Sequence, residues 1–242
     1  MAEAVRYLNG FIMNWKKALR PGMSTKDIDT LGEEIIRSYG CIPSFLNYNG
    51  YPASICVSVN QEVVHGIPDK HRIIQEGDIV SLDAGVIYKA IIQMRQERMR
   101  SVKSVRKQKN LIQVTKEKLL RRNKNFAKAG NHLFDISGAI GRYAEERGYG
   151  VVRDLCGHGI GTALHEAPEI PNYEVGRKGV RLRPGMTLAI EPMINIGTHE
   201  VDWLDDDWTV VTRDGSLSAH YENTILITEG EPRILSLTCE NE

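Results

Sequence analysis

Hydrophobic and polar positions along this chain change period in an order that occurs twice. After Arg20, RPGMSTKDIDTLGEEIIRSYG places a glycine turn before a stretch with the spacing of an amphipathic helix. After Lys128, KAGNHLFDISGAIGRYAEERG does the same. Each is followed by loops and then by a short apolar, β-branched run ending in a carboxylate: IVSLD, closing on Asp83, and TLAIE, closing on Glu191. SAHYENTILIT puts Glu222 at the head of a further apolar strand. In CGHGIGTALHEAPEIP the glycines permit close backbone approach and the prolines end the segment. The segment SLDAGVIYKAIIQMRQERMRSVKS begins as a buried strand, then turns basic and loses any strand pattern.

The two halves stand at one offset. Arg20 aligns with Lys128, Gly77 with Gly185 and Asp83 with Glu191, each 108 residues apart. Self-similarity at a fixed period signals a duplicated unit. The expected architecture is α/β, with two halves about a pseudo-two-fold. Asp83 and Glu191 then face each other near the axis, and two buried acids at one place need protons or a cation to neutralise them.

Length and composition narrow the class. The 242 residues suffice for one large domain with a sizeable core, and 41% hydrophobic with 26% charged is ordinary for a globular protein. The formal net charge is zero, but 13 of the 31 Lys and Arg lie between Ala90 and Lys128 with only 2 of the 31 Asp and Glu. The remainder is therefore acidic, and nothing global points to nucleic acid. Cys41, Cys56, Cys156 and Cys239 have neither metal nor pairing spacing, which reads as a reducing compartment. No apolar run reaches the length of a membrane span and the N-terminus has no signal-like apolar region, so the expectation is a cytoplasmic protein that makes no use of a membrane.

Candidate chemistry lies in the carboxylates and histidines. CGHGIGTALHEAPEIP holds His158 and His165, and Asp83, His165, Glu191 and Glu222 form an oxygen-rich candidate set without thiolate. That suits a hard or borderline divalent ion such as Mn, Fe(II) or Co, and not a structural zinc. Spacing alone leaves other readings open: Asp83 as a turn cap, Glu191 as a solvated residue before Pro192, His65 in an exposed turn.

The motifs YNGYPASICVSVNQEVVHGIP, EGDIVSLDAG, CGHGIGTALHEAPEIPNY, RLRPGMTLAIEPM and DDDWTVVTRDGSLSAHYENT occur in that order. Together they resemble the type I methionine aminopeptidases of bacteria. The resemblance covers about 16 to 236, apart from the basic stretch. It implies the pita-bread α/β (α+β) fold: one domain over 1–242, with half-repeats of about 16–125 and 126–236 and antiparallel sheets flanked by helices. It implies two divalent ions (Co, Mn, Fe or Zn) held by Asp83, His165, Glu191 and Glu222 among the family's five ligands. It implies removal of an N-terminal methionine from nascent chains when the next residue is small. Glu191 would shuttle the proton and His65 would contact the scissile amide. Asn172 falls where many members have a second substrate-contacting histidine, and Tyr48, Tyr51, Cys56 and Trp208 match the methionine pocket. The expected partners are nascent peptide N-termini at the ribosome surface, with no specific nucleic acid, and a monomer.

The resemblance breaks at one ligand. The family's second aspartate stands eleven residues after the first, and here that place is Met94, a poor donor for these ions. The second metal site and full activity are therefore expected to be impaired. AIIQMRQERMRSVKSVRK, residues 90–107, permits a codon choice that reads GYYSDAARTYAVGKVSEE one base upstream, with aspartate at the Met94 place. The expectation is a frameshifted stretch, restored near Lys109, with KLLRRNKN (118–125) as a second such patch. The contrasting reading is a catalytically inactive pita-bread binding module whose basic arm contacts RNA, the ribosome or a protein partner. A proline-directed peptidase of the same fold is disfavoured by the type I motifs and by the short chain, which has no large N-terminal domain.

Overall fold

The computed structural model describes residues 7, 8, 10–12, 14, 15, 18–89, 91–100, 106–115 and 126–236, with 93–100 as backbone. The patch at 118–125 lies outside the described residues.

The first half carries α1 (Thr25–Ser38), then β1 (Ile42–Pro43), β2 (Cys56–Val59), β3 (Glu62–Val64), β4 (Ile79–Tyr88), β5 (Ile91–Arg100) and α2 (Arg106–Gln113). The second half carries α3 (Leu133–Glu145), β6 (Gly150–Val151), β7 (Gly157–Gly159), β8 (Glu166–Ile170), β9 (Thr187–Ile190) and β10 (Met193–Asn195). It closes with β11 (Val201–Trp203), β12 (Val210–Thr212), β13 (Ser218–His220), β14 (Asn223–Leu226) and β15 (Arg233–Ile234).

The two main helices begin in the same way. The Ser24 hydroxyl accepts the Asp27 N–H, and the Asp27 carboxylate accepts the Ser24 N–H at 2.8 Å. This reciprocal cap satisfies N–H groups that the first helical turn leaves open. At the matching place the Asp135 carboxylate accepts the His132 N–H at 2.9 Å. Gly22 and Gly130 enter these caps at φ +93° and +91°, a region costly for any residue with a Cβ. The bridge Ser24↔Ile73 recurs as His132↔Arg181. The duplication thus reaches individual main-chain hydrogen bonds.

Strand alternation divides each half between a core face and an inner face. On β4, Val80, Leu82, Ala84 and Val86 pack with Ile28 and Ile36 of α1 and with Phe11 and Trp15. Asp83 lies on the opposite face. On β9, Leu188 and Ile190 pack with Ile136 and Ile140 of α3, and Ala189 and Glu191 turn away. Burying each such aliphatic side chain contributes about 1.5–3 kcal/mol, so register is strongly held and both carboxylates are forced to the inner face.

All the sheets are antiparallel. One has the order β1–β4–β2, with β5 on the other edge of β4, and another the order β15–β14–β9–β7–β8. The expected loss of strand pattern after Ala90 is corrected here: β5 pairs with the whole of β4, from Ile79↔Arg100 to Tyr88↔Ile91. The ladder is made of main-chain groups, and an ordered β4 offers it a complete edge. Lys89, at φ +49°, suits the two-residue turn. This register puts position 94 opposite Gly85, on the same face as Asp83.

Candidate active site

A cavity of about 180 Å³ opens on the inner faces, lined by Phe45, Tyr48, Tyr51, Cys56, Leu164 and Trp208, with His65, Asp83 and His165 among them. It is smaller than the roughly 300–1,000 Å³ of a drug-sized site and suits one apolar side chain. Cys56 is there because it is the cross-strand partner of Asp83. Tyr51 is locked by donating its hydroxyl to the carbonyls of Gly66 at 3.0 Å and Ile55 at 3.3 Å. Its ring meets Trp208 edge-on, with centroids 5.1 Å apart. Trp208 is set by a turn in which Asp206 accepts the N–H groups of Trp208 and Thr209.

His65 directly follows β3 at φ +58°, and its ring stands edge-on to Trp208 at 6.2 Å. A non-glycine residue held there costs on the order of 1–3 kcal/mol, and such residues gather at functional sites. Burial, and then the nearby His165, lower its pKa to about 4, so it is neutral at pH 7.

Asp83 is 5% exposed, and its Oδ1 is buried without a hydrogen bond. Burial pushes its carboxyl up to about 8, against a lowering bond from the Ala84 N–H. Glu191 is driven well above the carboxylate range, by burial and then by the charge of Asp83. The two acids therefore feel each other, as their symmetric places require. Glu222 is fully buried. The register from Thr187↔Leu226 to Asn223↔Ile190, resumed at Met193↔His220, sets Glu222 opposite Glu191.

The two histidines of the glycine-rich segment have different surroundings. His158, on β7, is 5% exposed, with Nε2 3.6 Å from Glu191 Oε1. Its Nδ1 lies 2.7 Å from the Gly159 carbonyl oxygen, which can only accept. The proton is thus on Nδ1, and Nε2 keeps a lone pair for a cation. His165 instead faces the cavity, its Nδ1 2.8 Å from the Tyr48 hydroxyl and its ring 4.3 Å from that of His158. Asn172 does not face the cavity. It is fully buried and donates to the Glu191 carbonyl at 3.2 Å, fixing the backbone that carries the acid. An amide supplies that donor, whereas the sequence pattern suggested a substrate contact. His220, unremarked in the sequence, has Nε2 3.1 Å from Glu191 Oε2. Strand alternation from Glu222 would have revealed it.

These donors fit a hard divalent ion in kind: oxygen-rich, buried and short of positive charge. Among the described residues, no group of three or more His, Cys, Asp and Glu is drawn tight enough to hold one.

The pattern of metallopeptidase family M24 matches residues 1–229, and the chain belongs to that family. Its relatives are methionine aminopeptidases. That of Clostridium acetobutylicum is 49% identical over 99% of this chain and 95% of its own length. Methionine aminopeptidase 1 of Bacillus subtilis is 47% identical over 95% and 92%. The crystal structure of the Thermotoga maritima methionine aminopeptidase superposes with a TM-score of 0.94 at 41% identity, covering 98% of this chain and 95% of that one. These neighbours share the pita-bread fold expected from the sequence.

Proposed function

We propose that this chain hydrolyses the first peptide bond of substrates beginning with methionine followed by a small residue, with a divalent cation at Asp83, Glu191, Glu222 and one histidine. The observation that carries this reading is the apolar cavity of Tyr48, Tyr51, Cys56, Leu164 and Trp208 opening directly onto Asp83. A polarizable, aromatic lining suits a thioether. The histidine is His165, as the resemblance implies, or His158, whose Nε2 lies 3.6 Å from Glu191; each ring makes its hydrogen bond through Nδ1 and leaves Nε2 to a cation.

In this mechanism the cavity holds the methionine side chain. Neutral His65, at the cavity wall, donates to the scissile amide as charge develops there. Glu191 takes the proton of the attacking water and delivers it to the leaving amine. The cation, when bound, supplies Lewis acidity at the scissile carbonyl and a more acidic water. His165, held by Tyr48, lines the substrate path.

Met94 weakens this centre, so we read the chain as impaired, with the second of two ions poorly held. The frameshift reading of 90–107 belongs to the same proposal, and an uninterrupted coding frame through those codons overturns it. One pita-bread domain over 1–242, with half-repeats of about 16–125 and 126–236, is supported by the matched caps and bridges. We place the chain in the cytoplasm as a monomer acting on nascent chains near the ribosome. Free Cys41, Cys56 and Cys156 fit a reducing compartment, and among the described residues no helix is long and apolar enough to cross a membrane.

The test is methionine release from Met-Ala-Ser with added Co(II) or Mn(II), beside an Xaa-Pro peptide. Slow release that rises in Met94→Asp supports the reading. Silence from both proteins, or preference for Xaa-Pro, overturns it.

A further inference from the structure

Glu191 stands between two imidazoles. His158 approaches Oε1 at 3.6 Å and His220 approaches Oε2 at 3.1 Å. The mechanism above uses the first and leaves the second without a role. His220 is 1% exposed. The 3.1 Å approach is an electrostatic contact and not an aligned hydrogen bond, and such a contact is strong in an interior sealed from water.

The backbone leaves it little choice. β13 pairs with β10 at Met193↔His220 and β14 pairs with β9 at Asn223↔Ile190, in one continuous register. Regular pairing lapses at Glu191–Pro192, where proline has no N–H to give, and the Tyr221 N–H reaches the Pro192 carbonyl at 3.3 Å. Glu222 is thereby opposite Glu191, and His220, two residues earlier, shares its face. Diagonal neighbours across a ladder are within reach of long side chains. His220 arrives on the side of Glu191 away from His158, one imidazole to each oxygen.

We propose that His220 is a positioning residue for Glu191, holding Oε2 so that Oε1 stays turned to His158. This rests on the reading of Glu191 as ligand and proton carrier. Without His220 the flexible glutamate would lose its fixed rotamer, and both cation binding and proton transfer would suffer.

The experiment uses the full chain and three variants: His220→Gln, whose longer amide reaches Glu191, His220→Asn, one methylene shorter, and Glu191→Gln. Co(II) is titrated and its visible absorption followed, which needs no turnover, and Met-Ala-Ser hydrolysis is measured at saturating Co(II). The expected result for His220→Asn is about tenfold weaker Co(II) affinity, an altered spectrum and a kcat lower by about tenfold with KM little changed. His220→Gln restores affinity and spectrum to within about threefold of the parent. Adding His220→Asn to Glu191→Gln has little further effect, since the pair acts as a unit. Parent-like affinity and spectrum in a folded His220→Asn overturn the inference, as does full additivity with Glu191→Gln. A parent that binds Co(II) but releases no methionine sinks the peptidase reading while the spectra still decide the role of His220. A parent that binds no Co(II) overturns both.

Discussion

The Tyr48 hydroxyl stands 2.8 Å from Nδ1 of His165, a contact that joins the first half of the chain to the second at the wall of the cavity. Neither partner is rigid alone: Tyr48 lies in a short 3-10 turn, and His165 in the loop before β8. Tyr48→Phe removes the bond and keeps the ring. The expected outcome is a loss of about 0.5–1.5 kcal/mol in kcat/KM for Met-Ala-Ser, mostly in KM, with thermal unfolding nearly unchanged. A loss confined to thermal stability would contradict a substrate-side role.

Position 94 shares a ribbon face with Asp83, two residues along the register. Met94→Asp adds an oxygen donor on that face. Cation affinity is expected to rise by about 10–100-fold, with a parallel gain in methionine release, as seen by calorimetric titration with Mn(II). Unchanged affinity would mean that the second aspartate's place is not at 94.

Gly157 has no room for a methyl group, since a Cβ there would meet the Ala189 carbonyl oxygen. Gly157→Ala should destabilise the fold by about 1–3 kcal/mol, read as a lower denaturation midpoint, and should weaken cation binding by shifting the adjacent His158. The solvated turn glycine Gly215 meets nothing within 4 Å, but at φ +68° alanine there is strained only locally. Gly215→Ala is therefore expected to spare cation binding.

His65 gives the metal-free protein a pH signature. Burial lowers its folded pKa to about 4, below the free value near 6.5. The folded state binds fewer protons than the unfolded state in that window, so stability is full above about pH 6.5 and declines as pH falls toward 4. The slope from this group stays below about 1.4 kcal/mol per pH unit, because a single imidazole exchanges at most one proton. Denaturant unfolding from pH 7.5 to 4.5 should show a shallower decline in His65→Gln. Parallel curves for the two proteins would refute the assignment.

Much of the site was legible in the chain. IVSLD and TLAIE are near-continuous apolar runs ending in acids, and their shared offset of 108 residues predicts that Asp83 and Glu191 are counterparts. Their common inner face follows from alternation once helices cover the other side. The surroundings of the histidines were not legible. His158 and His165 lie in one glycine-rich segment, and spacing does not say which nitrogen meets a carbonyl and which meets a tyrosine 117 residues away. The partner of Asn172 was hidden for a similar reason: it is a main-chain carbonyl 19 residues on, invisible to any motif of side chains. The basic strand β5 was missed because periodicity reads side chains, whereas the ladder that captures it is backbone.

By itself the sequence determined the duplication, the glycine turns that lead into the two helices, the strand ends that carry the acids and the type I motifs, because these are local patterns of period and turn. Only the tertiary structure decided which imidazole faces Glu191, that His220 flanks it, and that Tyr48 reaches His165. Those outcomes depend on register and on packing between segments far apart in the chain, where a single step along a strand turns a side chain to the other face.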